Sequence, residues 1–153
     1  MYDRPLVFLD LETTGATATH DRITEVGIVE VDNGCFVREW SSLVNPGISI
    51  PPAIQALTGI SNAMVAGAPR FEEIAREVWE AVDGRVLVAH NARFDYGFLK
   101  NEFKRLGKTF SAPVLCTVKL SRKLFPQHPR HNLDSLMARH GINCDARHRA
   151  LRD

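Results

Sequence analysis

The chain has 153 residues, with 19 basic and 18 acidic residues and a formal net charge of +1. This length suits one domain with a sizeable core, and 44% hydrophobic with 24% charged residues is a globular rather than a disordered composition. No apolar run approaches the roughly 18 residues of a membrane span, and the first residues lack the pattern of a signal peptide. We therefore expect a cytoplasmic protein.

The charge is divided unevenly along the chain. Residues 1–83 hold 5 basic and 13 acidic residues, a net charge of −8, and residues 84–153 hold 14 and 5, a net charge of +9. Such a split is found in proteins with a polyanionic partner and also in proteins with two merely solvated faces, and charge alone does not decide between them. The candidates to meet phosphates in the basic half are Arg93, Lys100, Lys104, Arg105, Arg122, Lys123, Arg130, Arg147 and Arg149.

The first third of the chain is predicted to be an antiparallel unit of three strands. Apolar runs bounded by turn residues place these strands at Leu6–Glu12, Ile23–Val31 and Cys35–Val44. Asp32-Asn33-Gly34 is a hairpin signal between the second and third strands. A short helix through Ile54 and Leu57 is expected after the prolines that follow.

The rest of the chain alternates between helices and strands. Helical periodicity predicts helices over 71–82, from about Ala92 to Leu106, and through Leu133 up to the stop at Gly141, and strands are expected at Val86–Ala89 and Val114–Val118. This order predicts an α/β protein with a mixed five-stranded sheet flanked by helices.

Two acidic residues end the first apolar strand. Asp10 and Glu12 are two apart, so their side chains share one face of the strand. Two close carboxylates in a partly buried setting favour a compensating divalent cation, and their hard oxygen atoms suit Mg²⁺ or Mn²⁺. The alternative is a strand that frays into solvent at Asp10, and the pair alone does not exclude it.

Further candidate residues stand at Asp95, just after a predicted strand, and at His148 and Asp153. Each has an ordinary explanation: a first-turn acid favoured by the helix dipole, a surface histidine and a terminal aspartate. Together, four carboxylates have the composition of a two-metal site for phosphoryl displacement, with a neutral histidine as general base. His140, Cys144 and His148 also suggest a zinc cluster, which Gly141 and the absence of a CxxC pair disfavour.

Three segments resemble the motifs of the DEDDh 3′→5′ exonucleases, especially the proofreading epsilon subunit of bacterial DNA polymerase III and its relatives. They are residues 8–15 (FLDLETTG), 90–95 (HNARFD) and 148–153 (HRALRD). The resemblance implies an RNase H-like fold, two Mg²⁺ or Mn²⁺ ions, and 3′ ends of single-stranded DNA as substrate. It also implies DNA polymerase III subunits or a fused C-terminal domain as partners.

The resemblance also implies a role for each matching residue. Asp10, Glu12, Asp95 and Asp153 would bind metal, with Asp10 bridging both ions, and His148 would be the general base. Residues around the terminal nucleotide would be Thr13, Thr14, Leu57, Thr58, Asn91, Arg93, Phe94 and Arg149.

The family continues beyond its last aspartate. We therefore expect residues 1–153 to be a single exonuclease domain that forms the N-terminal part of a longer polypeptide. Two alternatives stay open at this point: a 3′→5′ exoribonuclease that trims RNA, and a non-catalytic module that binds nucleic acid or a polymerase.

Overall fold

The computed structural model describes residues 3–144 and 148–151. They form a mixed five-stranded sheet in the order β3-β2-β1-β4-β5, as the sequence predicts. The strands are β1 (Leu6–Thr13), β2 (Ile23–Asp32), β3 (Cys35–Leu43), β4 (Val86–Ala89) and β5 (Val114–Cys116).

The strand directions follow from the connections. β1 and β2 pair antiparallel, and so do β2 and β3, whereas β4 is parallel to β1 and to β5. Asn33 and Gly34 both have positive φ, at 50° and 76°, as the two central residues of a tight hairpin turn require. β1 therefore lies at the centre of the sheet, between its antiparallel and its parallel parts.

Six helices connect or flank these strands within the described residues. They are α1 (Pro52–Thr58), α2 (Asn62–Ala66), α3 (Phe71–Val82), α4 (Ala92–Arg105), α5 (Thr117–Leu124) and α6 (Leu133–His140). In this part of the chain, none is long and apolar enough to cross a membrane.

One face of the sheet carries the hydrophobic core. Val7, Leu9 and Leu11 of β1 point into it and are at most 4% exposed, because alternate residues of a strand share a face. α3 and α4 cover this face, and the rings of Phe71 and Phe103 meet edge to face with centroids 5.2 Å apart. α4 is thereby fixed against the centre of the sheet, where it holds the predicted site residue Asp95.

The opposite face of β1 opens into a cavity of about 1080 Å³. Its walls come from the sheet, from α6 and from the last described residues, and include Phe8, Asp10, Val29, Leu136 and Leu151. Asp10 is thus the polar residue of β1 on a largely apolar face.

The structure differs from the predicted elements at two places. β5 ends at Cys116 and α5 begins at Thr117, where the sequence predicts a strand as far as Val118. The physical reason is the neighbouring strand: β4 ends at Ala89, opposite Cys116, so later residues have no ladder partner. The five-residue α2 was also not predicted, and its N-cap Ser61 accepts a hydrogen bond from the Met64 N–H at 3.2 Å.

Candidate active site

The acidic pair of β1 lies on the face opposite to the core. The antiparallel register places Asp10 across from Gly27 and Glu12 across from Glu25 on β2. Glu12 is 9% exposed. The register shifts immediately after Glu12, and such an irregularity bends a strand locally. The pair therefore sits where β1 leaves its regular ladder.

Asp95 joins this pair from the first turn of α4. It is 2% exposed, and its Oδ1 accepts a hydrogen bond from the backbone N–H of Leu11 at 3.1 Å, the residue between the two acids. Burial raises the pKa of Asp95 well above its ordinary value, and the negative charges of Asp10 and Glu12 add to the rise. Three carboxylates of two separate motifs thus come close enough to repel one another.

The donor atoms of this cluster fit a hard divalent cation. All three side chains offer carboxylate oxygens, the ligands that Mg²⁺ and Mn²⁺ prefer, and a cation would relieve their mutual repulsion. Within residues 3–144 and 148–151, no group of three or more His, Cys, Asp or Glu side chains is arranged so that it could hold a metal ion by itself. Asp153, the predicted fourth carboxylate, lies outside the described residues, as do Arg147 and the other residues of 145–147.

Thr13 ends β1 and Thr14 begins the loop that follows, and both are buried. The Thr13 hydroxyl donates to the Gly15 carbonyl at 2.6 Å, and the Thr14 hydroxyl donates to Asp21 Oδ1 at 2.9 Å. The Thr14 hydroxyl also accepts the N–H of Arg22 at 3.1 Å. These contacts engage both hydroxyls in holding the loop itself.

Leu57 and Thr58 lie at the end of α1, which closes on Gly59 in the left-handed region, with φ at 72°. The Thr58 side chain is buried, and its hydroxyl donates to the Ile54 carbonyl at 2.9 Å and accepts the Ile60 N–H at 3.1 Å. Leu57 is 55% exposed. Of the two, Leu57 has the surface to pack against a base.

Asn91, Arg93 and Phe94 surround the start of α4. Asn91 adopts a left-handed conformation with φ at 61°, which asparagine tolerates better than most residues, and its carbonyl accepts the Phe94 N–H at 2.9 Å. Phe94 is half-buried, with its ring centroid 4.8 Å from that of Phe98. Arg93 is exposed, so of these three it presents a charge to solvent.

His148 belongs to the short described segment 148–151. Its φ of 62° lies in the left-handed region. The next residue, Arg149, makes a bidentate ion pair with Glu25, whose shortest contact is 2.8 Å from Nη2 to Oε2. The backbone N–H of Ala150 donates to the same carboxylate at 2.7 Å. The third motif is therefore attached to β2 directly beside the β1 carboxylates.

Sequence reasoning missed Glu25, the residue that makes this attachment. A signal was present: β2 reads ITEVGIVEVD, an otherwise apolar strand with a buried acid at Glu25 and another at Glu30. Charged residues are rarely buried without a partner. The sequence, however, does not say which basic residue supplies it.

The fold and this carboxylate cluster define a class of nuclease-like protein, and comparison with known proteins specifies the family. The sequence profile of the exonuclease family matches residues 7–153. The DNA polymerase III subunit epsilon of Aquifex aeolicus is 37% identical over 154 residues, covering 100% of this chain and 76% of that protein. The 3′-5′ exonuclease DinG of Bacillus subtilis is 40% identical over 157 residues, covering 100% of this chain and 17% of that protein.

Solved structures agree with these relatives. Exonuclease X in complex with 5′ overhanging duplex DNA superposes with a TM-score of 0.78 at 30% identity, covering 96% of this chain and 82% of that one. The chain belongs to the exonuclease family, and the predicted RNase H-like fold is confirmed. It spans only about a tenth of some curated relatives that it matches.

Proposed function

We propose that the chain is a metal-dependent 3′→5′ exonuclease that removes nucleoside 5′-monophosphates from the 3′ end of single-stranded DNA. The observation that carries this proposal is the meeting of Asp10, Glu12 and Asp95, three carboxylates from two motifs, at one end of the central strand. Burial and the charges of its two acidic neighbours both raise the pKa of Asp95. Without a cation, placing these three acids together therefore lowers the stability of the fold. A hydrolase that recruits divalent cations does need them.

The proposed cofactors are two Mg²⁺ or Mn²⁺ ions, held by Asp10, Glu12, Asp95 and Asp153. When bound, such ions neutralise charge at the scissile phosphate and activate the attacking water. The all-oxygen donor set supports Mg²⁺ and Mn²⁺ over softer metals. The chain itself keeps the carboxylates in place through the register of β1 and the hydrogen bond from Leu11 to Asp95.

His148 is proposed as the general base that takes a proton from the attacking water. A neutral imidazole can accept a proton near neutral pH, and positioned bases contribute about 10²–10⁴ in rate. The segment that carries it is fixed to β2 at the two residues that follow His148. This attachment supports a base close to Asp10 and Glu12, because Glu25 lies opposite Glu12 and on the same face of the sheet.

We further propose that residues 1–153 form one exonuclease domain of a longer polypeptide that works with a DNA polymerase in the cytoplasm. The epsilon relative is named as a polymerase III subunit, and several relatives are far longer than this chain. The exposed Arg93 and the basic residues of α5, Arg122 and Lys123, offer charge for the DNA backbone. Their contribution would weaken as salt rises.

The test uses single-stranded DNA labelled at its 5′ end, incubated with Mg²⁺ or Mn²⁺. We expect a ladder of stepwise shorter products, and His148→Ala should slow it by about 10²–10⁴-fold. His128→Ala is the matched control, because its ring lies near Phe125, with centroids 6.4 Å apart, and has no proposed role. Equal rates for wild type and His148→Ala would contradict the mechanism, and an RNA oligonucleotide of the same sequence measures the preference between DNA and RNA.

A further inference from the structure

Glu25 is a buried acid whose hydrogen bonds, among the residues that the structure describes, reach one short segment. It is 5% exposed on β2. Its carboxylate accepts Nε of Arg149 at 3.1 Å, Nη2 of Arg149 at 2.8 Å and the N–H of Ala150 at 2.7 Å. A carboxylate committed in this way fixes both the side chain and the backbone of the segment that carries His148.

Gly27, two residues further along β2, lets the same segment approach the sheet. A Cβ atom at this position would lie 2.5 Å from the carbonyl carbon and oxygen of Ala150 and 2.7 Å from the nitrogen of Leu151. These are backbone atoms, which do not move aside as a flexible side chain would. The segment therefore lies directly on β2, with its backbone where a side chain would otherwise stand.

The register connects these two contacts with the candidate site. Glu25 is opposite Glu12, and Gly27 is opposite Asp10. Residues opposite one another in an antiparallel pair share a face of the sheet. The segment of residues 148–151 is consequently attached to β2 at the two positions that lie beside the two acidic residues of β1.

The conformation of His148 shows why an attachment is needed. A φ of 62° is uncommon for a residue other than glycine and persists only where the surrounding structure holds it. The contacts of Glu25 begin at the next residue, Arg149, and continue at Ala150. They hold the chain immediately on the C-terminal side of His148 and so restrict its backbone conformation.

We propose that Glu25 is a positioning residue, which acts with Gly27 to hold His148 beside Asp10 and Glu12. This inference rests on the proposed function, in which His148 takes the proton of the attacking water. In this proposal Glu25 acts through the segment of residues 148–151 and not on DNA or the reacting atoms. Its carboxylate charge is matched by the Arg149 guanidinium, which also lies close enough to Glu12 to feel its charge.

The first experiment compares Glu25→Gln with Glu30→Gln. Glu30 is a matched control, because it lies on the same strand, is 6% exposed against 5% for Glu25, and faces an arginine, Arg85, at 3.7 Å. We expect Glu25→Gln to lower kcat about 10–100-fold, as loss of a supporting carboxylate commonly does. KM for single-stranded DNA and the Mn²⁺ concentration for half-maximal rate should change less than about threefold. Glu30→Gln should keep kcat within about twofold of wild type.

The second experiment repeats Glu25→Gln in a His148→Ala background. We expect less than about a twofold further loss of kcat there. The reason is that the effects of residues that act as one unit are not additive. Equal fold losses in both backgrounds would overturn the proposal, as would a Glu30→Gln loss equal to that of Glu25→Gln. If the Mn²⁺ concentration for half-maximal rate changed by a larger factor than kcat, Glu25 would belong to the metal site, and this result would also overturn the proposal. His148→Ala itself tests the proposed function separately, by comparison with wild type.

Arg149→Lys keeps the inference testable if Glu25→Gln folds poorly. The Arg149 side chain is 39% exposed, so this change is mild for folding, yet lysine cannot make the bidentate pair. We expect a loss of kcat that disappears in the His148→Ala background. A loss that persists there would mean that Arg149 acts independently of His148 and would overturn the proposed attachment.

Discussion

Two buried carboxylates of α4, Asp95 and Glu102, have opposite surroundings. They lie about two helical turns apart, and each is 2% exposed. Glu102 receives Nε and Nη2 of Arg22 at 2.7 and 3.0 Å, and Arg105 lies 3.2 Å away. Asp95 receives one N–H from Leu11 and faces the charges of Asp10 and Glu12.

The difference separates a structural charge from a functional one. At Glu102 the chain supplies its own cations, and the pair ties the residues just after the Thr14 loop to α4. At Asp95 no arginine or lysine is recorded near the carboxylate among the described contacts, and its neighbours are acids. A buried cluster of like charges is expensive. We therefore interpret the Asp95 end of α4 as a candidate binding site for cations from solution.

The largest expected effect is on catalysis. Asp95→Asn should lower the rate of 3′ shortening by about 10²–10³-fold, or about 3–4 kcal/mol, because it removes a carboxylate that holds divalent metal. Glu102→Gln, an equally buried loss of charge on the same helix, should cost less than about tenfold. The measurement is kcat/KM on single-stranded DNA at saturating Mn²⁺. Equal losses for the two variants would remove the proposed distinction.

The second expected effect is on folding stability, which Glu102→Gln should lower and Asp95→Asn should raise. Glu102→Gln leaves the Arg22 and Arg105 guanidinium groups without their carboxylate, and breaking a buried pair costs up to about 3–5 kcal/mol. The Arg22 side chain is 32% exposed, so we expect a smaller loss than this range, about 2 kcal/mol. A chain of this size should lose about 4–8 °C in melting temperature. An unchanged melting temperature would show that the pair is not structural.

A smaller effect is expected for Asp95→Asn in EDTA. Removing a charge that burial disfavours should raise the melting temperature by about 2–4 °C, which corresponds to a gain of about 1 kcal/mol in the free energy of unfolding. Added Mn²⁺ should stabilise wild type and have little effect on the variant, since only wild type gains binding energy. A variant less stable than wild type in EDTA would mean that the Asp95 carboxylate stabilises the metal-free fold.

The smallest expected effect is the pH dependence of the difference in stability between wild type and Asp95→Asn in EDTA. The pKa of Asp95 in the folded protein is raised above its ordinary value of 3.8. Its contribution to stability is therefore fully present below that value and is lost as the pH rises towards the folded pKa. Melting curves in EDTA should show wild type losing stability relative to Asp95→Asn from about pH 4 upward. A gain over the same range would reverse the assigned shift.

Much of the fold was predictable because its signals are local. The apolar runs of β1 and β2, the Asn33-Gly34 turn and the periodicity of α3 each specify an element through neighbouring residues, and the structure confirms them. The predicted end of β5 at Val118 was wrong because strand propensity at Val118 says nothing about where β4 ends. Strand ends depend on the partner strand.

The candidate site was predictable only in part. Asp10, Glu12 and Asp95 are carried by motifs and stand beside one another as expected. The Glu25–Arg149 pair joins residues more than a hundred positions apart, so the sequence around either residue does not indicate its partner. Thr14 and Thr58 show the opposite case: each looks available in the sequence, yet each hydroxyl is engaged inside the chain.

The most direct test of the central claim is Mn²⁺ binding, measured by calorimetry without DNA. We predict saturable binding to wild type and to Glu102→Gln, and at least a tenfold weaker affinity, about 1.4 kcal/mol, for Asp95→Asn. Equal Mn²⁺ affinity for wild type and Asp95→Asn would contradict the assignment of this carboxylate cluster as the metal site.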